Sequence, residues 1–259
     1  MLTSLFNRRE WLATVAAQTL AAAAAPPAFG VSLDGVRDPD ETLKAAAAAG
    51  YTEVEGSGLR TTLTLMPKIR QYGLTVRSCV IDAQLITDFH PVEFEQAIVG
   101  LKDAGVEYCI MGVISAGARG DGDDFFRRTA DRMNAAGELC RKAGLKLAWA
   151  NEGFEFEGRP GGRPVDIYRE RLDSKLVAFE MDVLWVRDPV ALLKEWRGRV
   201  PILRLRDKLK DSYASIGEGE LNLPAILKAA QAAGTKHYLV YDDPDKLGKA
   251  LAYLTKAAR

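Results

Sequence analysis

Short apolar runs alternate with amphipathic stretches eight times along this chain. The apolar runs are rich in Val, Ile, Leu, Phe and Tyr, which is typical of buried β-strands. The stretches between them repeat apolar residues with the period of an α-helix, for example at Leu223, Ile226 and Leu227. The predicted strands are FGVSLDGV, YTEVEG, LTVRSCVID, YCIMGV, LKLAWANE, LVAFEMDVLWV, VPILRLRD and HYLVYDD. Helices are predicted over 38–49, 63–72, 91–104, 123–143, 164–174, 189–197, 221–233 and 244–257.

Glycine marks the end of most predicted helices. Gly50, Gly73, Gly105, Gly144 and Gly234 each stand just before a predicted strand, where helix C-caps belong. Eight strand–helix units in one chain of this size predict a single-domain α/β protein, a (β/α)8 TIM barrel over residues 29–259. The alternative is a doubly wound open sheet, but the chain has no G-x-G-x-x-G, P-loop or G-x-S-x-G motif to support it.

The N-terminal segment is typical of an export signal. Arg8 and Arg9 precede the run WLATVAAQTLAAAAA, which is too short for a membrane span and ends in small residues before Pro26. The string NRREWL is also similar to the twin-arginine motif. Residues 1–28 are therefore predicted to be a signal peptide, and the mature protein is predicted to be periplasmic or secreted. A buried N-terminal helix is the alternative.

Charge and cysteine content exclude several classes of function. Lys and Arg number 35 and so do Asp and Glu, so no net field attracts nucleic acid or an anionic membrane surface. The partner we expect is a small molecule. The three cysteines form no disulfide framework or zinc motif and are interpreted as buried thiols. A Cys79–Cys109 bridge is the alternative, because both residues fall in neighbouring predicted strands.

Polar residues at the carboxyl ends of the predicted strands are the candidates for chemistry, because barrel enzymes place their sites there. A strand buried on both faces is otherwise apolar, so these side chains need an explanation. The candidates are Glu55, Arg77, Asp82, Asn151, Glu152, Glu180, Asp182, Arg204, Arg206, Asp207, Tyr241, Asp242 and Asp243.

Two of these strands carry paired charges. Period-2 alternation puts Glu180 and Asp182 on one face of their strand, and Arg204 and Arg206 on one face of the next. Adjacent strands lie about 4.8 Å apart, so the acidic pair and the arginine pair are expected to meet inside the barrel.

The strings GYTEVEGSG, LAWANEGFEF, LVAFEMDVLWV, VPILRLRD and IGEGELNLPAILKAAQAAGTKHYLV, in this order, resemble the sugar phosphate isomerase/epimerase family of xylose isomerase-like barrels. The resemblance covers about residues 29–256. It implies a barrel that binds a carbohydrate. It also implies a divalent metal such as Mn or Mg, held by carboxylates and a histidine, and proton transfer next to a carbonyl.

The chain departs from this family at the metal site. Where members read YHNHDFEF this chain reads WANEGFEF, so Ala150 and Glu152 stand at the two histidines while Asn151 is kept. Asp182 matches the metal-binding aspartate. Arg204 stands at the histidine of LLHVKD, and Arg206 at the lysine of that motif.

Further ligand positions are changed as well. Tyr241 stands where the last strand usually offers a glutamate, and Cys79 stands at a position that is often histidine. An arginine is always cationic and has no lone pair to donate, so Arg204 is expected to replace the charge of the metal. It is expected to hold Asp182, and with it Glu152, by charge-assisted hydrogen bonds. We therefore predict no metal cofactor.

These residues predict an exported sugar isomerase or epimerase. Glu152 is the predicted general base, Tyr241 or Asp182 the partner acid, and Arg204 the electrophile that stabilises an enediolate oxygen. The alternative is a non-catalytic sugar-binding protein, in which Glu152 and Asp182 are only counter-ions of the arginines. Substrate contacts are predicted for Glu55, Asn151, Glu180, Arg206 and Asp207.

Overall fold

The computed structural model describes residues 27–120, 122–159, 161–210 and 212–259. Its strands are β1 (Ala28–Ser32), β2 (Glu53–Ser57), β3 (Thr75–Ile81), β4 (Tyr108–Met111), β5 (Lys146–Ala150), β6 (Val177–Asp182), β7 (Ile202–Leu205), β8 (Asp207–Leu209), β9 (Ser212–Ala214) and β10 (His237–Val240). Its α-helices are α1 (Pro39–Ala49), α2 (Leu59–Gln71), α3 (Gln84–Thr87), α4 (Pro91–Asp103), α5 (Asp123–Ala143), α6 (Pro164–Arg171), α7 (Pro189–Glu195), α8 (Leu223–Ala233) and α9 (Leu247–Ala257).

Eight parallel strands close into a barrel in the order β1, β10, β7, β6, β5, β4, β3, β2. Closure depends on β1, which pairs with β2 on one side and with β10 on the other. Because β1 has a neighbour on both sides, the sheet has no open edge there. The predicted (β/α)8 barrel is confirmed, and the open doubly wound sheet is excluded.

The helix ends agree with the sequence pattern. Gly50, Gly144 and Gly234 cap α1, α5 and α8 in the left-handed conformation, with φ of 99°, 79° and 91°. Glycine adopts this conformation without the steric penalty of a Cβ, which is why it ends these helices before the next strand. The N-terminus of α1 is capped by Asp38, whose side chain accepts a hydrogen bond from the backbone of Glu41.

Three details differ from the predicted elements. Helix α2 begins at Leu59 and not at residue 63, and the short helix α3 was not predicted. The third difference is the antiparallel hairpin of β8 and β9, which follows β7 at the carboxyl end of the barrel. These segments are short and carry little periodicity, so the apolar pattern does not mark them.

The core has two layers. A large outer layer packs between strands and helices and includes the stacked pair Trp149 and Phe179. A smaller cluster, including Tyr108, Ile110 and Leu239, fills the inside of the barrel. Towards the carboxyl ends of the strands, the inward positions become polar.

Buried charges occur at both ends of the barrel. At the amino end, Glu53 contacts Arg77 and His237. Towards the carboxyl end lie Glu55, Glu180, Asp182 and Arg204.

Two further sequence predictions concern the cysteines and the N-terminal segment. Cys79, Cys109 and Cys140 are buried free thiols, so the interpretation as apolar residues is confirmed and the alternative Cys79–Cys109 bridge is not formed. The predicted signal peptide lies outside the described residues except for its last two positions, and Ala28 is already the first residue of β1. No helix among the described residues is long and apolar enough to cross a membrane.

Candidate active site

Arg204 lies at the centre of a buried ionic network inside the barrel. Its Nη2 atom is 2.5 Å from Oε1 of Glu55 and 3.0 Å from Oε1 of Glu180, and its Nη1 atom is 3.0 Å from Oδ2 of Asp34. The side chains of Glu55 and Glu180 are fully buried, and that of Arg204 is 4% exposed. Two carboxyl groups from opposite parts of the barrel wall thus share one guanidinium.

Glu55 is held by further donors. The hydroxyl of Ser32 donates to Oε1 of Glu55 at 2.8 Å, and the hydroxyl of Ser78 donates to Oε2 at 2.8 Å. These serines lie on β1 and β3, the two neighbours of β2. Together with Arg204, these two serines fix the position of the Glu55 carboxyl group.

Glu180 contacts Arg204 from the other side of the barrel. Burial raises the pKa of its carboxyl well above the ordinary value, and the negative charge of Glu55 raises the pKa further, although Arg204 opposes both. Burial by itself would lower the pKa of Arg204, but Glu55 and Glu180 outweigh burial and hold that pKa well above its ordinary value. Burial and the charge of Glu55 therefore favour the neutral form of the Glu180 carboxyl beside the cationic Arg204.

Arg206 and Asp182 form a second ion pair above the first. Nε of Arg206 lies 2.9 Å from Oδ2 of Asp182. The guanidinium lies 4.2 Å from the ring centroid of Tyr241 and 5.6 Å from that of Tyr213, and it donates to the Tyr213 hydroxyl at 2.9 Å. Since Tyr213 belongs to β9, the hairpin covers Arg206 from the solvent side.

The two ion pairs correct one sequence expectation. The acidic pair and the arginine pair do meet inside the barrel, but Arg204 does not take Asp182 and Glu152 as its direct partners. It extends instead towards Glu55 on β2, with β10 and β1 lying between β7 and β2. A long side chain reaches across the barrel interior, whereas strand spacing alone suggests only the neighbouring strand.

Asn151 connects the strands that carry the site. Its Oδ1 accepts a hydrogen bond from the backbone of Asp182 at 2.9 Å, and its Nδ2 donates to the carbonyl of Asp182 at 3.3 Å. The side-chain amide thus joins the ends of β5 and β6 in the way that backbone hydrogen bonds join two strands. The arrangement fixes the loop that follows β5, and substrate binding by Asn151 stays a prediction.

Glu152 follows Asn151 and is half-buried. No salt bridge to its carboxylate is formed within the described part of the chain, in contrast to Glu55, Glu180 and Asp182. Burial raises the pKa of Glu152 and the nearby charge of Asp182 raises it further, while Arg206, Arg204 and Arg119 act in the opposite direction. A carboxylate with an elevated pKa and no fixed counter-ion is suited to accept and return a proton.

Asp207 organises a loop. Its carboxylate accepts hydrogen bonds from the backbone NH groups of Lys208, Gly217, Gly219 and Leu221, at 2.9–3.2 Å. A Cβ at Gly219 would lie 2.2 Å from Oδ1 of Asp207, so the loop needs glycine there. This use of both oxygens explains why the carboxylate is buried, and substrate binding by Asp207 stays a prediction.

The donor set does not fit a divalent metal. The carboxylates nearest the barrel axis, Glu55 and Glu180, are both in contact with a guanidinium, which would repel the ion. Among the described residues, no group of three His, Cys, Asp or Glu side chains converges as metal ligands. Ca²⁺ or Mg²⁺ takes several convergent oxygens, which this centre does not offer. That the protein holds no metal stays a prediction.

Two cavities lie at opposite ends of the barrel. A cavity of about 200 Å³ borders the loops after β3 and β4 and is lined by Asp82, Thr87 and Val113, among others. A larger cavity, of about 510 Å³, lies at the amino ends of the strands and is lined by Tyr108 and Lys146, among others. Glu55, Glu180, Asp182, Arg204 and Arg206 lie at the carboxyl end, where barrel enzymes place their sites. The candidate site is therefore assigned to that end despite the larger volume at the other.

Several residues of the centre were missed by the sequence reasoning. Ser32 and Ser78 look like ordinary strand residues, although each occupies an inward position next to Glu55. Asp34 follows β1 in the string SLDG, where a turn residue is equally expected. Tyr213 lies on the hairpin that no pattern predicted. Glu155 is part of the quoted string LAWANEGFEF, but nothing in the sequence shows that its carboxyl is buried.

Comparison with known proteins identifies the fold. No family model and no curated protein matches the chain by sequence. A sugar phosphate isomerase/epimerase from Parabacteroides distasonis superposes with a TM-score of 0.72 at 22% identity, over 91% of this chain and 96% of that one. The 3-keto-D-glucoside 4-epimerase of E. coli gives 0.67 at 14% identity, over 89% and 99%. The D-psicose 3-epimerase of Clostridium cellulolyticum gives 0.68 at 11% identity, over 89% and 99%.

These similarities show that the chain has the fold of xylose isomerase-like TIM barrels. Because the sequence identities are low, these similarities establish the fold and not the reaction. The site itself has to carry the functional argument.

Proposed function

We propose that this chain is a sugar isomerase or epimerase that moves a proton next to a carbonyl without a bound divalent metal. The observation that carries the proposal is the fixed guanidinium of Arg204 between Glu55 and Glu180. At the same end of the barrel lies Glu152, whose carboxylate forms no salt bridge among the described residues. The arginines supply the positive charge, and Glu152 supplies the base.

The proposed reaction begins with Glu152. Its carboxylate removes the proton from the carbon next to the sugar carbonyl, and the electron pair moves to the carbonyl oxygen to give an enediolate. A positive charge near that oxygen stabilises the enediolate. The isomer forms when the proton is returned to the former carbonyl carbon, while the enediolate oxygen gains a proton and the adjacent hydroxyl loses its own to become the new carbonyl. The epimer forms when a proton is added to the opposite face of the original carbon and the electron pair on the oxygen re-forms the carbonyl.

The two arginines take different parts in this scheme. Of the two, Arg206 acts more strongly on the pKa of Glu152, and its guanidinium is packed on the ring of Tyr241. We assign contact with the enediolate to Arg206, with Arg204 as the deeper charge that supports it. Tyr241 or Asp182 is the acid that completes the proton transfer.

A second candidate function is a non-catalytic sugar-binding protein. The observation that favours it is the closed character of the network, since Arg204 and Arg206 already have carboxylate partners. A network satisfied in this way serves as a structural plug without any chemistry.

A substrate panel separates the two candidates. The panel contains ketoses such as D-psicose, D-tagatose and L-ribulose, 3-keto-D-glucosides, and phosphorylated sugars, because the structural neighbours are described with several of these. Product is measured by chromatography and by loss of ²H from labelled substrate, with EDTA and with added Mn²⁺. Turnover in EDTA supports the proposal, turnover only with Mn²⁺ refutes metal independence, and binding without turnover favours the second candidate.

Export is proposed as the setting for this activity. It rests on the paired arginines and the alanine-rich run of residues 1–28. A twin-arginine route would carry the protein across the membrane already folded.

A further inference from the structure

Glu155 is a buried carboxyl group directly beneath the proposed base. It lies in the 3-10 turn Phe154–Phe156 that follows β5, and it is 3% exposed. Its Oε2 atom accepts a hydrogen bond from the backbone NH of Glu152 at 2.9 Å. A glutamate that reaches back three residues to a free backbone NH is one half of a capping box, which fixes the start of a turn.

The surroundings of Glu155 are mostly apolar. Its carboxyl borders a small cavity together with Met111, Met133, Trp149 and Tyr168. The hydroxyl of Tyr168 and Nε1 of Trp149 are buried and have no hydrogen-bond partner among the described residues. In these apolar surroundings a neutral carboxyl group costs far less to bury than a charged one.

Few charges face Glu155. Burial raises the pKa of its carboxyl to about 8, hydrogen bonds from backbone NH groups lower that pKa, and among charged groups Arg119 lowers it while Glu152 raises it. Arg119 is itself engaged: its Nε donates to the carbonyl of Ile114 at 2.8 Å. The carboxyl of Glu155 is therefore a neutral acid over most of the physiological range.

We propose that Glu155 is a positioning residue, which as a neutral acid holds the backbone of Glu152 so that the Glu152 carboxylate faces the substrate. This inference rests on the proposed function, because the role of Glu152 as base belongs to that proposal. Glu155 itself contacts no substrate and acts only through the backbone NH of Glu152.

Ionisation of Glu155 is expected to disturb the turn. A negative charge in an apolar cavity, next to the carboxylate of Glu152, is unfavourable, so the turn rearranges to expose it. Activity is therefore expected to fall as the pH rises through about 8. Glu152 is ionised at this pH and would by itself remain active as a base. The fall in activity is therefore attributed to displacement of Glu152 from its position.

The experiment compares E155Q, E155A and the matched control E157Q. A glutamine keeps an acceptor for the Glu152 NH and cannot ionise, an alanine removes the acceptor, and Glu157 is an exposed residue of the same segment. We expect E155A to lower kcat/KM at least tenfold, E155Q to restore most of that loss, and the fall above about pH 8 to be absent in E155Q. E157Q is expected to match the wild type throughout.

Two further measurements do not depend on turnover. Hydrogen exchange at the Glu152 amide is expected to be slow in the wild type and in E155Q, and fast in E155A. The folded chain holds the Glu155 proton more tightly than the unfolded chain does. The stability of the wild type should therefore fall relative to E155Q as the pH rises from 4.5 to about 8.

The outcomes distinguish a failure of the positioning role of Glu155 from a failure of the proposed reaction. An E155A variant with wild-type kcat/KM and a protected Glu152 amide overturns the positioning role, as does an alkaline fall in E155Q equal to that of the wild type. If no sugar is turned over but the Glu152 amide and the pH-dependent stability behave as expected, the contact between Glu155 and Glu152 stands and the proposed reaction fails.

Discussion

Nη2 of Arg204 contacts Oε1 of Glu55 at 2.5 Å, although the two residues are 149 positions apart in the sequence. Glu55 is fully buried and Arg204 nearly so, so the pair exchanges hydration for direct charge-assisted hydrogen bonds. The same guanidinium lies 3.0 Å from Oε1 of Glu180, so one cation lies between two buried carboxyl groups.

Arg204→Met tests the stability of this centre. Removing the guanidinium leaves a buried carboxylate at Glu55 without a counter-ion, and breaking a buried pair in this way costs about 3–5 kcal/mol. The measurement is urea unfolding at pH 7. Arg141→Met is the control, because Arg141 forms an exposed pair with Glu138 and its loss should change stability little. Equal stabilities of the two variants would contradict the assigned role of Arg204.

Glu180→Gln should stabilise the protein at neutral pH. The pKa of Glu180 in the folded protein lies well above the ordinary value. At neutral pH the folded chain therefore holds a proton that the unfolded chain has released, which costs stability. The stability of the wild type therefore falls relative to Glu180→Gln as the pH rises above 4.5, and the difference no longer changes with pH below it. Chemical unfolding at pH 4 and pH 7 checks the sign, and a variant less stable at pH 7 than at pH 4, relative to wild type, would refute it.

Glu152→Gln should abolish turnover and leave the fold intact. Loss of a working general base lowers the rate by about 10²–10⁴. The raised pKa of Glu152 also moves the acid limb of the pH profile upward, because the base must be ionised to accept a proton. Steady-state kinetics and thermal unfolding are measured together, with Glu157→Gln as the control. An unchanged rate in Glu152→Gln would remove Glu152 from the mechanism.

Metal analysis tests the proposed metal independence. We expect no stoichiometric Mn, Zn or Mg in the purified protein, and an unfolding temperature that EDTA leaves unchanged, since a bound ion would add stability by mass action. The converse double variant, Arg204→His with Tyr241→Glu, places two additional donors near Glu55 and Asp182 and should bind Mn²⁺ more tightly than the wild type. About one equivalent of metal in the wild-type protein would return the chain to metal-dependent chemistry.

The mature N-terminus tests the export prediction. Removal of about the first 24–28 residues is expected, with β1 beginning at Ala28. Peptide sequencing of the protein from its native host locates the new end, and replacing Arg8 and Arg9 by Lys should slow export by a twin-arginine route. An intact Met1 on soluble cytoplasmic protein would refute the prediction.

The sequence by itself determined the barrel. Apolar runs such as LKLAWA, helix-ending glycines such as Gly144, and eight repeats of the unit leave few ways to bury every strand. It also determined that polar residues cluster towards the carboxyl ends of the strands. These features follow from local periodicity, which a single chain displays directly.

Only the tertiary structure decided which charges meet. Two of the three carboxylate partners of Arg204 are Glu55 on β2 and Asp34 after β1, and both are brought to it by closure of the barrel through β1 and β10. Glu155 looks like any loop glutamate until the chain folds its carboxyl under Glu152. The physical reason is that pairing and burial depend on distances across the barrel, which period and spacing along the chain do not contain.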